Sequence, residues 1–258
     1  SNKQQATSNK QQATSNKQPI LYLIAPAYNG SQNITQFVIE WYPVIERHDG
    51  GGLSRLVVID DGSKDNTYSI LQDLSSTRNL LLPLTKKNSG HGPTCIYGYK
   101  YAIEHGADLI FQTDTDGQTS ANEFEAFWAE RENYDAILGK RPNRKDGAAR
   151  VFISNVMRII ERLIFGKYIP DANVPYRLMH PELVKKYLPM INDDFFLQNV
   201  MLAVCFVYFH ENITFQNISF QPRQGGKSFV NVKSIIKIGI KTVRDFLKLK
   251  KNLKNFAE

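Results

Sequence analysis

Asp108-Leu109-Ile110-Phe111-Gln112-Thr113-Asp114-Thr115-Asp116-Gly117-Gln118 is the stretch on which the reading of this chain turns. Leu109, Ile110 and Phe111 form an apolar run, the mark of a short buried strand. The strand would deliver Asp114 and Asp116 to its C-terminal end. On an extended backbone residues i and i+2 point the same way, so both carboxylates can face one ion. Hard divalent cations such as Mg²⁺ or Mn²⁺ take oxygen ligands and share themselves with substrate phosphates. The stretch therefore points to a metal that holds a phosphorylated substrate.

Other readings compete for the same residues. Residues 112–123 fit an EF-hand calcium loop at Asp114, Asp116, Gly117 and Glu123, but Gln112 stands where the first Asp belongs. Asp114-Thr115-Asp116-Gly117 also resembles the nucleophile motif of haloacid-dehalogenase-type phosphatases. A non-catalytic nucleotide or calcium binder, or a plain solvated acidic turn, completes the set.

Upstream, the same arrangement recurs. Residues 20–29 are an apolar strand broken at Pro26, and Phe37, Val38, Trp41 and Ile45 then follow at helical spacing. Leu56-Val57-Val58-Ile59 runs into Asp60-Asp61-Gly62-Ser63-Lys64-Asp65-Asn66-Thr67, where Gly62 permits a tight turn and Asp65 or Asn66 can cap the next helix. A strand at 80–85 leads to Asn88-Ser89-Gly90-His91-Gly92 and a helix near 93–105. Strands alternating with helices predict an α/β fold with a mostly parallel, helix-covered sheet. Ligands of such sheets bind beyond the carboxyl ends of the strands, where the strand order reverses. Each polar cluster follows a strand.

The ordered set Pro-Ala-Tyr-Asn, Val-Ile-Asp-Asp-Gly-Ser-x-Asp-x-Thr, Asn-x-Gly-x-Gly and Asp-x-Asp-x-Gln resembles family-2 glycosyltransferases of GT-A fold, nearest the dolichyl/polyprenyl-phosphate sugar synthase branch. The resemblance covers roughly residues 19–230. It implies that Pro26, Ala27, Tyr28 and one or both of Asp60 and Asp61 hold the nucleotide base and ribose, with Gly90 in the next loop. It implies further that Asp114 approaches the sugar, and that Asp116 with Gln118 takes the metal and the diphosphate. The family commonly has Glu after the Tyr-Asn pair; this chain has Gly30. The implied donor is a nucleotide sugar, a UDP-sugar by preference and a GDP-sugar as the alternative, and the implied acceptor is a lipid phosphate or a glycan hydroxyl.

Beyond the metal strand, Ala136, Ile137 and Leu138 suggest a further strand. It is followed by Lys140, Arg141, Arg144, Lys145 and Arg150, either a solvated loop or a phosphate contact. A helix is expected over 148–165, with Val151, Ile153, Val156, Ile159, Ile160, Leu163 and Ile164 apolar. Asp171-Ala-Asn-Val-Pro-Tyr-Arg177 resembles the family's Asp-Pro-x-Ser-Gly-Phe-Arg, which makes Asp171 and Arg177 sugar or acceptor-phosphate contacts. Asp193 and Asp194 precede a helix at 194–207; one can cap it while the other removes a proton from an acceptor hydroxyl. Arg223 and Lys227 lie in a segment resembling the family's Arg-x-x-Gly-x-Ser loop and would clamp the departing diphosphate, unless the loop is an ordinary turn.

The chain has 258 residues and a formal charge of +7, enough for one sizeable core plus appendages. Two cysteines in apolar surroundings, Cys95 and Cys205, indicate neither a disulfide framework nor a zinc site, and point to a reducing, cytoplasmic setting. No segment reaches the roughly 20 apolar residues that span a bilayer. Residues 1–18 repeat Ser-Asn-Lys-Gln-Gln-Ala-Thr, a polar low-complexity run expected to be disordered. Residues 231–257 hold eight Lys or Arg against Asp245, which equals the whole excess charge. Val232, Ile235, Ile236, Val243, Phe246, Leu247 and Leu253 would form the apolar face of that helix. A basic amphipathic helix of this kind either lies on an anionic membrane surface, on the inner face, or packs on the domain with its cations solvated. The charge is local and no nucleic-acid motif accompanies it, so nucleic acid is not an expected partner. Oligomeric state is open, a homo-oligomer included.

Overall fold

The computed structural model describes residues 18–142, 148–191, 195, 197–221 and 232–257. Among the described residues, seven strands form one sheet: β1 (Leu21–Ala27), β2 (Arg55–Asp60), β3 (Leu81–Thr85), β4 (Leu109–Thr113), β5 (Ala136–Lys140), β6 (Tyr176–Met179) and β7 (Ile213–Asn217). Their order is β3-β2-β1-β4-β6-β5-β7. Only β6 runs antiparallel to its neighbours β4 and β5; the other pairings are parallel. Helices α1 (Ile34–Arg47), α2 (Thr67–Ser75) and α3 (His91–Glu104) follow the first three strands. After them come α4 (Phe124–Ala129), α5 (Ala148–Phe165), α6 (Pro181–Tyr187), α7 (Gln198–Tyr208) and α8 (Val232–Ala257). This is the expected GT-A architecture.

Strand periodicity divides the core in two. Leu21, Leu23, Leu56, Val58 and Phe111 join α1 on one face, whereas Tyr22, Ile24, Val57, Ile59 and Ile110 join α3 and α7 on the other. Both faces are covered, which is why the strands read as continuous apolar runs. On the first face Phe111 meets Phe124 and Tyr176 edge-on, at centroid distances of 4.9 and 4.7 Å, with Trp41 at 5.4 Å. On the second, a Cβ at Gly98 of α3 would lie 2.3 Å from Ile24 Cγ2 and 2.7 Å from Ile59 Cδ1. Only glycine lets α3 sit so close to β1 and β2, and that closeness carries the start of α3 over the ends of the strands.

The chain steps outward from β1 through β2 to β3, then returns so that β4 lies on the other side of β1. The reversal of strand order therefore falls between β1 and β4, the place expected for a ligand. Strand β6 escaped the sequence reading, which treated its residues as a binding segment. Four residues with no flanking alternation are too short to announce a strand, and pairing with β4 and β5 supplies what local propensity does not.

Candidate active site

Two loops form one wall of the site. After β1, the Asn29 N–H donates to Ser63 Oγ at 2.9 Å, and Asn29 Oδ1 accepts the Lys64 N–H at 2.8 Å. The Gly30 N–H donates to Thr67 Oγ1 at 2.8 Å and the Ser31 N–H to Asp65 Oδ2 at 3.1 Å. Asn29 adopts φ +49°, a left-handed conformation that asparagine tolerates. These bonds zip the loop after β1 to the loop after β2. Tyr28 emerges between them with 49% of its surface exposed, above Pro26 and Ala27 at the end of β1. A Cβ at Gly30 would meet nothing within 4 Å, so the glycine that replaces the family's usual Glu leaves open space.

Asp60 and Asp61 stand at the end of β2, both buried. Asp60 accepts Thr85 Oγ1 at 2.9 Å and the Ser63 N–H at 3.3 Å. Asp61 accepts the N–H groups of Ser89 at 3.0 Å and Gly90 at 2.8 Å, and pairs with the Lys86 ammonium. Burial alone would raise the Asp61 carboxyl, but Lys86 and the two N–H groups outweigh it and hold the group below its ordinary value. The Asp61 backbone is engaged too, its N–H donating to the Ala27 carbonyl at 2.8 Å. Gly62, at φ +68°, completes the turn; a Cβ there would lie 2.9 Å from the Asn88 backbone nitrogen. The Asp60–Asp61 pair thus ties the ends of β1, β2 and β3 together, and Gly90 takes part as a donor to Asp61.

The Asp-x-Asp turn faces that wall across the switch point. Thr115, between the two acids, points the other way and donates to the Pro26 carbonyl at 3.0 Å, which joins the ends of β4 and β1. Asp114 Oδ1 lies 2.8 Å from His91 Nε2, and His91 opens α3. Burial would depress the His91 imidazole, but the Cys95 sulfur and the Asp114 carboxylate outweigh it and raise its pKa well above the ordinary value. Asp116 Oδ1 accepts the Gln118 N–H at 3.2 Å. Gln118 is buried, and its Nε2 donates to the Gln221 carbonyl at 3.0 Å while its own carbonyl accepts the Gln221 N–H at 2.9 Å. The turn is thereby tied to the chain beyond β7, and a metal role for Gln118 rests on its Oε1 alone.

The donor set suits a hard divalent ion. Two carboxylates sit on one turn, and among the described residues no group of three or more His, Cys, Asp or Glu gathers around a point. Such a site leaves coordination positions for phosphate oxygens and water, the way Mg²⁺ and Mn²⁺ are commonly held.

The structure bears on three of these readings. Arg177 is wholly buried in β6, donating to the carbonyls of Val174 at 2.8 Å, Asn199 at 2.7 Å and Ala172. Burial pulls its pKa down to about 10, and its guanidinium braces the chain from inside instead of reaching a sugar or phosphate. Asp171 is bound bidentately by Arg141 at 2.7 and 2.8 Å, an internal ion pair that also takes Arg141 out of the proposed phosphate-contacting stretch. The calcium-loop reading fails because Gln112 is buried in strand β4, accepting the Tyr99 hydroxyl at 2.6 Å, where an EF-hand would need a loop after a helix. Asp193, Asp194, Arg223 and Lys227 lie outside the described residues. So do Arg144 and Lys145.

The site residue that sequence reasoning missed is His91. Its signal was the Asn-x-Gly-x-Gly loop just ahead of a helix, read only for its glycines. Contact with Asp114, 23 residues away, needs the sheet to be assembled.

Residues 22–188 match the family described as Glycosyl transferase family 2. The chain is 32% identical to the UDP-N-acetylglucosamine--dolichyl-phosphate N-acetylglucosaminyltransferase of Methanococcus voltae, over 38% of this chain and 42% of that protein. It is also 32% identical to the dolichyl-phosphate beta-glucosyltransferase ALG5C of Trichomonas vaginalis, over 40% of this chain and 31% of that protein. It thus spans less than half the length of these curated relatives. In architecture it is similar to the glucosyl-3-phosphoglycerate synthase of Mycobacterium tuberculosis, solved with Mn²⁺, UDP and glucosyl-3-phosphoglycerate. The TM-score is 0.68 at 12% identity, over 90% of this chain and 80% of that one. That likeness speaks for the fold alone, whereas the sequence match covers well over half the chain. The chain belongs to glycosyl transferase family 2.

Proposed function

We propose that this chain is a metal-dependent glycosyltransferase that moves a sugar from a nucleoside-diphosphate sugar to a phosphorylated lipid, with inversion at the anomeric carbon. The observation that carries the reading is the Asp114–Asp116 turn, set opposite the zipped loops bearing Tyr28 at the point where strand order reverses. The loops after β1 and β2 bind the nucleoside, with Tyr28 offering its exposed ring, and Asp114 faces the sugar. Asp116 with Gln118 would hold Mg²⁺ or Mn²⁺. When bound, that ion supplies Lewis acidity toward the charge that grows on the departing diphosphate.

A dolichyl- or polyprenyl-phosphate acceptor is favoured by the names of the two curated relatives, and UDP by the first of them and by the structural neighbour. The acceptor's phosphate oxygen forms the new bond to the anomeric carbon. The bond from that carbon to the nucleoside diphosphate breaks, and the diphosphate leaves with the electron pair. A phosphate acceptor is already an anion and needs no base. A glycan-hydroxyl acceptor would instead make Asp193 or Asp194 essential as general base, so the double replacement separates the two acceptors.

The test is a thermal-shift series with UDP, GDP and CDP, each with Mn²⁺ or with EDTA, on the wild type and on Asp116→Ala. Stabilisation by one nucleoside diphosphate that needs metal and is lost in the variant is the expected result. No shift with any nucleotide would overturn the donor assignment.

A further inference from the structure

Of the two readings of the C-terminal helix, packing on the domain describes the apolar face of its second half. Phe246, Leu249 and Leu253 of α8 are buried in the domain, Phe246 against the Phe165 ring of α5 at 5.5 Å. Asn252 Nδ2 donates to the Met190 carbonyl at 3.0 Å, which fixes the same side of the helix to the domain. Leu247, expected in the apolar seam, is turned outward. Helices α5 and α8 touch each other and bury their inner sides in one core cluster, so their opposite sides share one outward surface.

That surface has an unusual composition. On α5, Val156, Ile159 and Leu163 recur at spacings of three and four residues and are exposed, Ile159 to 60% and Leu163 to 78%. On α8, Ile240 and Leu247 are exposed to 60% and 56%. Between and beside them Arg162, Arg244, Lys248, Lys251 and Lys254 are exposed as well. The only acid of α5 is Glu161 and the only acid of α8 is Asp245, and both are buried. Aliphatic side chains and cations of the two helices face outward, and among the described residues neither helix adds a carboxylate to them.

We propose that the outward face of α5 and α8 is a docking surface for an anionic lipid bilayer. Cations at a membrane surface are drawn to acidic headgroups, and aliphatic side chains among them enter the headgroup–acyl boundary. A polyanion such as RNA answers the cations but not Ile159 and Leu163. A second copy of this face would set cation against cation. The chain's own repeat at 1–18 carries Lys3, Lys10 and Lys17 with no acid, so it does not complement the surface. A bilayer with acidic lipid satisfies both components. Docking stands independently of catalysis, since it rests on helices outside the Asp-x-Asp turn.

Co-sedimentation of the full chain with phosphatidylcholine vesicles, with and without phosphatidylglycerol, tests this. Binding is expected only with the anionic lipid and is expected to weaken as salt rises. The triple variant Arg244→Glu/Lys248→Glu/Lys251→Glu should lower partitioning at least tenfold, and Ile159→Ser/Leu163→Ser several-fold, with unfolding curves like the wild type's. A control of equal charge change elsewhere, Arg47→Glu/Lys87→Glu/Lys185→Glu, should keep most of the binding. The proposal is overturned by no binding to anionic vesicles, by an equal loss in the control, or by binding to poly-U in place of vesicles. It is also overturned if light scattering shows a dimer that Ile159→Ser/Leu163→Ser dissolves while vesicle binding stays unchanged.

Discussion

Two pairs of aspartates stand at strand ends on either side of β1, and the structure uses them differently. Asp60 and Asp61, after β2, are buried and surrounded by donors: Thr85, Ser63, Ser89, Gly90 and Lys86. Asp114, after β4, meets His91 and keeps 23% of its side chain open, and Asp116 accepts the Gln118 N–H. Both pairs read alike in sequence as ligand-binding acids. A carboxylate saturated with donors builds a site, whereas one that keeps solvent access, as Asp114 does, is available for chemistry.

The largest expected effect separates the pairs by function. Asp116→Ala should lower transferase activity by roughly a thousandfold, in line with losing a group that acts only on developing charge, while its urea unfolding midpoint stays close to wild type. Asp61→Ala should do the reverse. It leaves Lys86 and two N–H groups without their acceptor and should cost about 2–3 kcal/mol of stability in urea melts. If Asp61→Ala unfolds like the wild type and only nucleotide binding suffers, the contrast between the pairs collapses.

The Asp61 carboxyl is held low in the folded state. Its contribution should be full above the unfolded carboxyl pKa and lost as pH falls through the folded one. Melts of wild type and Asp61→Asn should therefore converge in acid.

Gly62→Ala probes the same turn through the backbone. With φ at +68° and the Asn88 nitrogen 2.9 Å from the new Cβ, about 2 kcal/mol should be lost, with the midpoint measured by thermal melts.

A smaller effect is expected at His91, which sharpens the role of Asp114. His91→Ala should lower kcat roughly tenfold with little change in KM if the ring positions Asp114 against the sugar. His91→Gln, which keeps a donor, should recover most of the loss. A change confined to stability would make His91 a packing residue.

An effect that appears only with pH concerns Glu161, the buried acid behind the docking face. Burial raises its pKa to about 7 from 4.5. For an acid raised in this way the folded state binds the extra proton, so stability falls as pH rises between those values and the cost is complete above about 7. Glu161→Gln should accordingly be the more stable protein at alkaline pH and match the wild type below the lower value, as read from urea melts.

Local features were legible in the chain itself. The apolar runs of β1, β2 and β4, the glycine at Gly62 and the acids placed after strands each depend on a few consecutive residues. Helix α5 was expected at 148–165 and is found as Ala148–Phe165. The amphipathic period of α8 was equally visible, and so was the family.

What only the tertiary structure decided is which partner each side chain meets. Arg177 is an internal brace because antiparallel β6 inserts between β4 and β5, placing it opposite Gln112 and Leu138 inside a covered sheet. His91 reaches Asp114 because Gly98 lets α3 lie against β1 and β2. Leu247 faces outward, and Phe246 inward, because the core cluster fixes how α8 is rotated. Periodicity marks a helix as two-faced, but the face that is buried depends on contacts far apart in sequence. The sequence alone determined the strands, the turns and the chemistry they carry. Assembly alone decided which groups each carboxylate meets and which sides of α5 and α8 are buried.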